Sequence, residues 1–150
     1  MEKFDSILKQ MPNYKAGLTE ITLNDATTLS KKAGVYVFYK EAEAWYVGKT
    51  DNLGRRLKQH SDIGSKHNQA TFAFKLAKDK WTENNKIDKK FTRQALEAMD
   101  SFMPHFKDAK GDVAQMKIKF VEIENAHHQY LFEYWLAIEL EAKYNQFENH

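Results

Sequence analysis

Two short β-type segments that follow one another closely place the strongest limit on how this chain can fold. Residues 35–39 and 45–47 consist only of valine and aromatic residues, and Gly34 precedes the first of these segments. Valine and aromatic residues are enriched in β-strands. Residues 40–44 between them predict a hairpin connection, although they lack the Asn-Gly pair of a tight turn. Asp51 or Asn52 can then cap a helix. This part of the chain therefore predicts a β-hairpin followed at once by a helix.

The hydrophobic pattern of the remaining sequence predicts both helices and strands. Residues 18–23 alternate in a way that fits either a strand or an extended lead-in. The other predicted elements are helices at residues 2–11, 69–81, 91–102 and 126–144 and a third strand at residues 116–124.

The composition excludes several classes of protein. The 150 residues include no cysteine, so disulfides and thiol nucleophiles are excluded, and one domain is expected for this length. The first residues are charged and no segment reaches the length of a membrane span, so we expect neither a signal peptide nor a membrane helix. A reducing, cytoplasmic environment is the natural expectation.

The net charge of +2 is unremarkable, but the charges are unevenly distributed. Residues 49–60 carry four basic residues against one acidic residue, and residues 75–93 carry seven against three. Residues 122–150 carry six glutamates against one lysine. Basic stretches attract phosphate backbones, whereas many charge runs are simply solvated faces. The charge pattern therefore favours a nucleic-acid partner only mildly.

Four polar side chains with useful chemistry fall within the hairpin and its helix. Tyr36 and Tyr46 supply aromatic hydroxyls, Arg56 a guanidinium and His60 an imidazole. Arg56 and His60 are four residues apart, so they project from the same face of a helix. Each residue alone is more typical of packing or of a helix surface. Together they form a set of groups that suits a phosphodiester.

Glu133 is a carboxylate within a predicted helix that is apolar on nearly every side. An ionised carboxylate in such a place is costly unless a cation or hydrogen-bond donors meet it. Either a metal ion or a buried salt bridge can supply that partner. The adjacent His127 and His128 point in different directions at the helix start, so we expect surface residues rather than a chelate.

The triplets Gly-Val-Tyr at residues 34–36 and Tyr-Val-Gly at residues 46–48 resemble the motifs that give the GIY-YIG nuclease superfamily its name. Residues 46–57, Tyr-Val-Gly-Lys-Thr-Asp-Asn-Leu-Gly-Arg-Arg-Leu, are similar to the family's second strand and first helix. Arg56 then stands at the position of the catalytic arginine, and His60 stands where members carry histidine or tyrosine. Valine in place of isoleucine in both triplets is a conservative departure.

The resemblance continues near the end of the chain. The family's metal-binding glutamate precedes an asparagine by twelve residues in repair-type members, and Glu133 and Asn145 have that spacing. Lys49 stands where many members carry lysine.

The resemblance implies an α+β fold, an α/β sandwich in which a small three-stranded, mostly antiparallel sheet is flanked by helices. It implies a single nuclease domain over residues 1–150, with its core at about residues 33–62 and 112–146. Residues 63–110 then form a helical insertion, and residues 1–32 form an N-terminal extension.

The activity implied by the resemblance is that of an endodeoxyribonuclease with one divalent ion, Mg²⁺ or Mn²⁺. Glu133 would hold the ion, and Arg56 would stabilise the charge on the phosphoryl oxygens. Tyr36 would orient or deprotonate the attacking water, with His60 as the rival general base. Tyr46 and His60 would complete the hydrogen-bond network.

The partner implied by the resemblance is DNA. Lys49 and Arg55 would bind the substrate, and Asn145 would position the network around it. The basic stretch of the insertion is a further candidate for DNA contact, although the aromatic residues near it favour a core; these are Phe72, Phe74 and Trp81. A homodimer or a targeting protein could aim the cut, and the alternative function is a nucleic-acid-binding module that has lost cleavage.

Overall fold

The structure is a computed structural model that describes residues 2–62, 64–66, 69–85 and 92–145. The chain packs as two compact units, Met1–Arg55 with Met116–His150 and Arg56–Gln115. The elements in chain order are α1 (Phe4–Leu8), α2 (Met11–Ala16), β1 (Thr19–Ile21), a 3₁₀ helix (Asn24–Leu29), β2 (Gly34–Lys40), β3 (Glu43–Thr50), α3 (Leu53–Ser61), α4 (Thr71–Asn85), α5 (Arg93–Glu97), α6 (Met103–Ala114), β4 (Lys117–Glu122) and α7 (Ala126–Glu139).

The sheet of the first unit is antiparallel throughout, with strand order β1-β4-β2-β3. A mixed α+β fold with helices flanking this sheet confirms the predicted fold class. The predicted number of three strands is wrong, because β1 adds a fourth. Residues of β1 pair with β4 from Thr19 opposite Phe120 to Ile21 opposite Ile118. Without β1, the backbone groups along that side of β4 would be an open sheet edge.

The two faces of the β2–β3 hairpin carry different side chains. Val37 pairs directly with Val47 across the hairpin, and both belong to the apolar core that α7 completes with Phe132 and Leu136. Because successive side chains of a strand point to opposite faces, Tyr36 lies on the other face. The hairpin thus separates an aliphatic core from a face that carries tyrosine.

The N-terminal segment forms two short helices where the pattern predicts one. Pro12 lies in the first turn of α2, where its missing N–H is tolerated. In the interior of one continuous helix the same proline would break the hydrogen-bond ladder. The helix α7 ends at Glu139 rather than at residue 144. Glu141 has a φ of 51°, and the amide of Ala142 donates to the carbonyl of Ala137 at 2.9 Å. This is the geometry of a Schellman stop.

The second unit is built around aromatic side chains from α4 and α6. Phe74 contacts Phe102 and Phe106 with ring centroids 5.2 and 5.7 Å apart. Phe72 and Trp81 are buried as well. Phe72, Phe74 and Trp81 are therefore part of the core of this unit, as their aromatic character favoured. The helix predicted from residue 91 is the short α5, and residue 91 itself lies outside the described residues.

None of the helices in the described ranges is both long enough and apolar enough to cross a lipid bilayer.

Candidate functional site

Tyr36 and Tyr46 lie side by side on one face of the hairpin. Tyr36 pairs with Gly48, and Phe38 pairs with Tyr46, so these side chains share a face. The ring centroids of the two tyrosines are 6.5 Å apart, and Tyr36 makes an edge contact with Phe38 at 5.8 Å. Both tyrosines are buried, with 1% and 9% of their surface exposed. Two phenols are therefore held by a packed sheet rather than by a mobile surface.

The glycine of each triplet is required by close packing. A Cβ atom on Gly48 would lie only 2.3 Å from both Cζ and Oη of Tyr36, so the phenol rests directly on the glycine backbone. A Cβ atom on Gly34 would lie 2.2 Å from the carbonyl oxygen of Val121. Real contacts of this kind are near 3.5 Å. The spacing of the triplets indicated the tyrosines, but only the structure shows that Gly48 makes room for one of them.

Asn145 is a clamp on the strand that carries Tyr46. Its Oδ1 accepts from the amide of Val47 at 2.7 Å, and its Nδ2 donates to the carbonyl of Val47 at 2.7 Å. The amides of residues 143 and 144 donate to the carbonyls of Ala44 and Trp45. Residues 143–145 therefore cover the outer edge of β3. Asn145 positions the Tyr-Val-Gly triplet, and a direct contact with substrate remains a prediction.

The start of α3 confirms Asn52 as its capping residue. Asn52 Oδ1 accepts from the amide of Arg55 at 3.1 Å, which satisfies one of the free donors of the first turn. The Arg55 side chain is 60% exposed and forms an ion pair with Asp51 at 3.5 Å. Pairs of this kind are weak, so the guanidinium is available to a phosphate.

Arg56 and His60 belong to the second unit and lie one turn apart in α3. Arg56 donates to the carbonyl of Gln69 at 2.8 Å and to Oγ1 of Thr71 at 3.1 Å. These bonds hold the guanidinium against the start of α4. His60 is fully buried. Burial, followed by the positive charge of Arg56, lowers the pKa of His60 well below its ordinary value, so the imidazole is neutral at pH 7 and is a weaker base than an exposed histidine.

Lys49 contacts α7, the helix that carries Glu133. The Nζ atom of Lys49 lies 3.8 Å from the ring centroid of Tyr130, one helical turn before Glu133. Glu133 is half-buried, between the buried Phe132 and the 52% exposed Tyr134. Among the residues that the structure describes, no group of three or more His, Asp or Glu is arranged to hold a metal.

His128 has a role that the sequence did not indicate, because a surface position was expected. Only 5% of its surface is exposed. Its Nδ1 lies 2.6 Å from the hydroxyl of Tyr14, and its Nε2 lies 2.8 Å from a carboxylate oxygen of Glu2. The bond to His128 lowers the pKa of the Glu2 carboxyl, and burial raises the pKa of the Tyr14 phenol. The network fastens the N-terminal extension to α7.

Comparison with known proteins decides the family. A model of the GIY-YIG catalytic domain matches residues 32–149. The chain belongs to the GIY-YIG family. Its domain is therefore a nuclease domain, which makes nucleic acid the substrate class.

One solved structure with a similar fold is the crystal structure of the GIY-YIG N-terminal endonuclease domain of UvrC from Thermotoga maritima. That protein is a tyrosine-to-phenylalanine point mutant bound to its catalytic divalent cation. The two sequences are 15% identical, the match covers 82% of this chain and 92% of that one, and the TM-score is 0.46. No curated protein sequence gives a significant match.

Proposed function

We propose that this GIY-YIG protein is a metal-dependent DNA endonuclease that hydrolyses phosphodiester bonds. The observation that carries the proposal is the packing of the Tyr36 phenol on Gly48, beside Tyr46. A sheet that excludes a Cβ atom in order to hold a phenol in place is typical of a site that needs exact geometry. The family membership makes that site a nuclease site.

Glu133 is the residue proposed to hold the cation, Mg²⁺ or Mn²⁺. The half-buried Glu133 carboxylate suits an ion that keeps several waters and shares oxygens with a phosphate. When bound, the ion would neutralise the scissile phosphate and stabilise the leaving oxygen. The divalent cation bound to the UvrC domain favours a divalent ion as the cofactor.

Proton transfer and charge stabilisation are assigned to four residues. Arg56 stabilises the negative charge that builds on the phosphoryl oxygens. The general base is Tyr36 or His60. A phenol ionises near pH 10 in water, about 3 units above neutrality, whereas the lowered pKa of His60 keeps its imidazole neutral at pH 7 but also weakens it as a proton acceptor. Tyr46 completes the hydrogen-bond network.

Substrate contacts are assigned to the basic residues around the hairpin. Lys49 and Arg55 meet backbone phosphates, and Asn145 holds β3, the strand that carries Lys49, in place through Val47. DNA is the proposed nucleic acid, with the cytoplasm as the proposed location. A homodimer or a targeting protein is the proposed means of directing the cut.

Incubation of the purified protein with supercoiled plasmid tests the proposal. Cleavage is expected with Mg²⁺ or Mn²⁺ and not with EDTA, and Glu133→Gln should abolish it while leaving the thermal unfolding midpoint nearly unchanged. Glu139→Gln is a matched control on the same helix, where the carboxylate is exposed and pairs with Lys15. Full activity in Glu133→Gln would refute the metal assignment. A folded protein that cuts neither plasmid nor branched DNA would instead be the inactive binding module.

A further inference from the structure

A groove with aromatic walls lies between α1 and the start of α7. Its volume is about 370 Å³, and it is lined by Glu2, Phe4, Ile7, His127, Tyr130 and Leu131. Phe4 and Tyr130 are 58% and 62% exposed, respectively, although both are large apolar rings. Exposed apolar side chains that form one contiguous patch are typical of binding sites. The nuclease chemistry assigned above does not use this groove.

The same tyrosine ring links the groove to the substrate-binding residues. Lys49 Nζ sits 3.8 Å from the Tyr130 ring centroid, and Lys49 is one of the proposed phosphate contacts. Tyr130 also precedes Glu133 by one turn of α7. The Tyr130 side chain thus borders the groove, contacts the Lys49 ammonium and lies one turn of α7 before the proposed metal ligand.

We propose that the groove binds one unpaired nucleobase of the nucleic-acid substrate, stacked on Tyr130 and Phe4, while Lys49 contacts the adjoining phosphate. This inference rests on the nuclease function proposed above. Base–aromatic stacking beside a cation is the usual way in which proteins hold single strands. The groove volume is at the lower end of ligand pockets, which suits one base. The Glu2 carboxylate at its border can accept from the exocyclic amino group of a base.

A base stacked on the protein cannot remain paired in a duplex. The substrate class is therefore DNA with an unpaired nucleotide beside the cut, such as a flap, a branch or a single strand. The ammonium of Lys49 on the same ring favours this anionic occupant over an apolar peptide. Fully paired plasmid DNA is then a poorer substrate than a flapped duplex.

Fluorescence of 2-aminopurine tests the inference without any cleavage. The full-length protein in EDTA is titrated with a single-stranded oligonucleotide that carries one 2-aminopurine, and stacking should quench the fluorescence. Tyr130→Leu and Phe4→Leu keep an apolar side chain but remove the ring face. Each should weaken binding between about fivefold and a hundredfold and relieve the quenching, as the loss of one stack does. Tyr134→Leu makes the same change at a 52% exposed position of α7 outside the groove, and should leave both unchanged.

Two results would overturn the inference. One is the absence of quenching with the wild-type protein, and the other is equal quenching in all three variants and the wild type. Plasmid and flap cleavage measured on the same preparations separates the two proposals. Metal-dependent cleavage without quenching would leave the nuclease standing and remove the base-binding groove. Quenching without cleavage of any DNA would support the groove and refute the nuclease.

Discussion

Replacing Gly48 by alanine is the smallest change that tests whether Tyr36 must stay where the sheet holds it. The added Cβ atom would lie 2.3 Å from Cζ and Oη of Tyr36, and relaxed contacts between such atoms are about 3.5 Å. The phenol must therefore withdraw by about 1.2 Å. Because Tyr36 is 1% exposed and packed on Phe38, it cannot swing into solvent.

A displacement of about 1 Å at a reacting group lowers the rate by roughly a hundredfold. Overpacking of this kind costs about 1–3 kcal/mol of unfolding free energy, which lowers the melting temperature by roughly 2–12 °C in a chain of this size. The variant should therefore be folded at 25 °C but nearly inactive. Single-turnover cleavage of end-labelled DNA with Mg²⁺ measures the rate, and calorimetry measures the stability.

Gly111→Ala is the matched control for this substitution. Gly111 lies in α6, and a Cβ atom there meets nothing within 4 Å. The rate should be unchanged, and stability should rise by up to about 1 kcal/mol because alanine is the better helix former. In a Tyr36→Phe background, Gly48→Ala should lower the rate little further, since the hydroxyl is already gone. A Gly48→Ala enzyme within about threefold of the wild-type rate would refute the reasoning, since it predicts a loss near a hundredfold.

Three further predictions concern the strand clamp and the second unit. Asn145→Leu removes both bonds to Val47, so thermal melts should show a loss of about 1–3 kcal/mol in the free energy of unfolding. Asn145→Asp should be intermediate, and equal melting temperatures for the wild type and both variants would contradict the role of Asn145 in holding β3. The pKa of His60 is lowered in the folded state. The free energy of unfolding should therefore decrease as the pH drops below 6.5, by up to about 1.4 kcal/mol per pH unit, and should stay constant above pH 6.5. Urea unfolding at several pH values should show this slope in the wild type and not in His60→Gln. Thr71→Val removes one bond to Arg56 and should lower only the melting temperature. Arg56→Ala should lower both the melting temperature and kcat, the latter by orders of magnitude. Equal kcat losses in the two variants would indicate that Arg56 is purely structural.

The hairpin and its helix could be predicted because their signals are local. Valine and aromatic residues specify β2 and β3, and Asn52 caps α3 through a bond to a residue three positions away. The exact turn could not be predicted, because it places Glu41 at a φ of 57°, a conformation that glutamate rarely adopts. A register shift between Phe38 and Tyr39 likewise leaves no mark in the pattern.

The parts of the site that escaped prediction depend on contacts between distant residues. His128 is buried because it bonds to Tyr14 and Glu2, which are 114 and 126 residues away in sequence. The spacing of polar and apolar residues along the chain cannot predict hydrogen bonds between residues this far apart in sequence. Asn145 was found through its spacing from Glu133, but its bond to Val47 spans 98 residues and follows from where α7 stops. The family resemblance located Asn145, and packing supplies the physical reason for its position.

The clamp of residues 143–145 on β3 sets an order of events during synthesis. The strand that bears Tyr46 is made about a hundred residues before Asn145, which at ribosomal speed is a delay of roughly 5–20 s. During that interval the outer edge of β3 has no backbone partner from residues 143–145, and open edges pair with other chains. We therefore expect this nuclease to become active only after residue 145 leaves the ribosome, which keeps an unfinished chain from cutting nucleic acid.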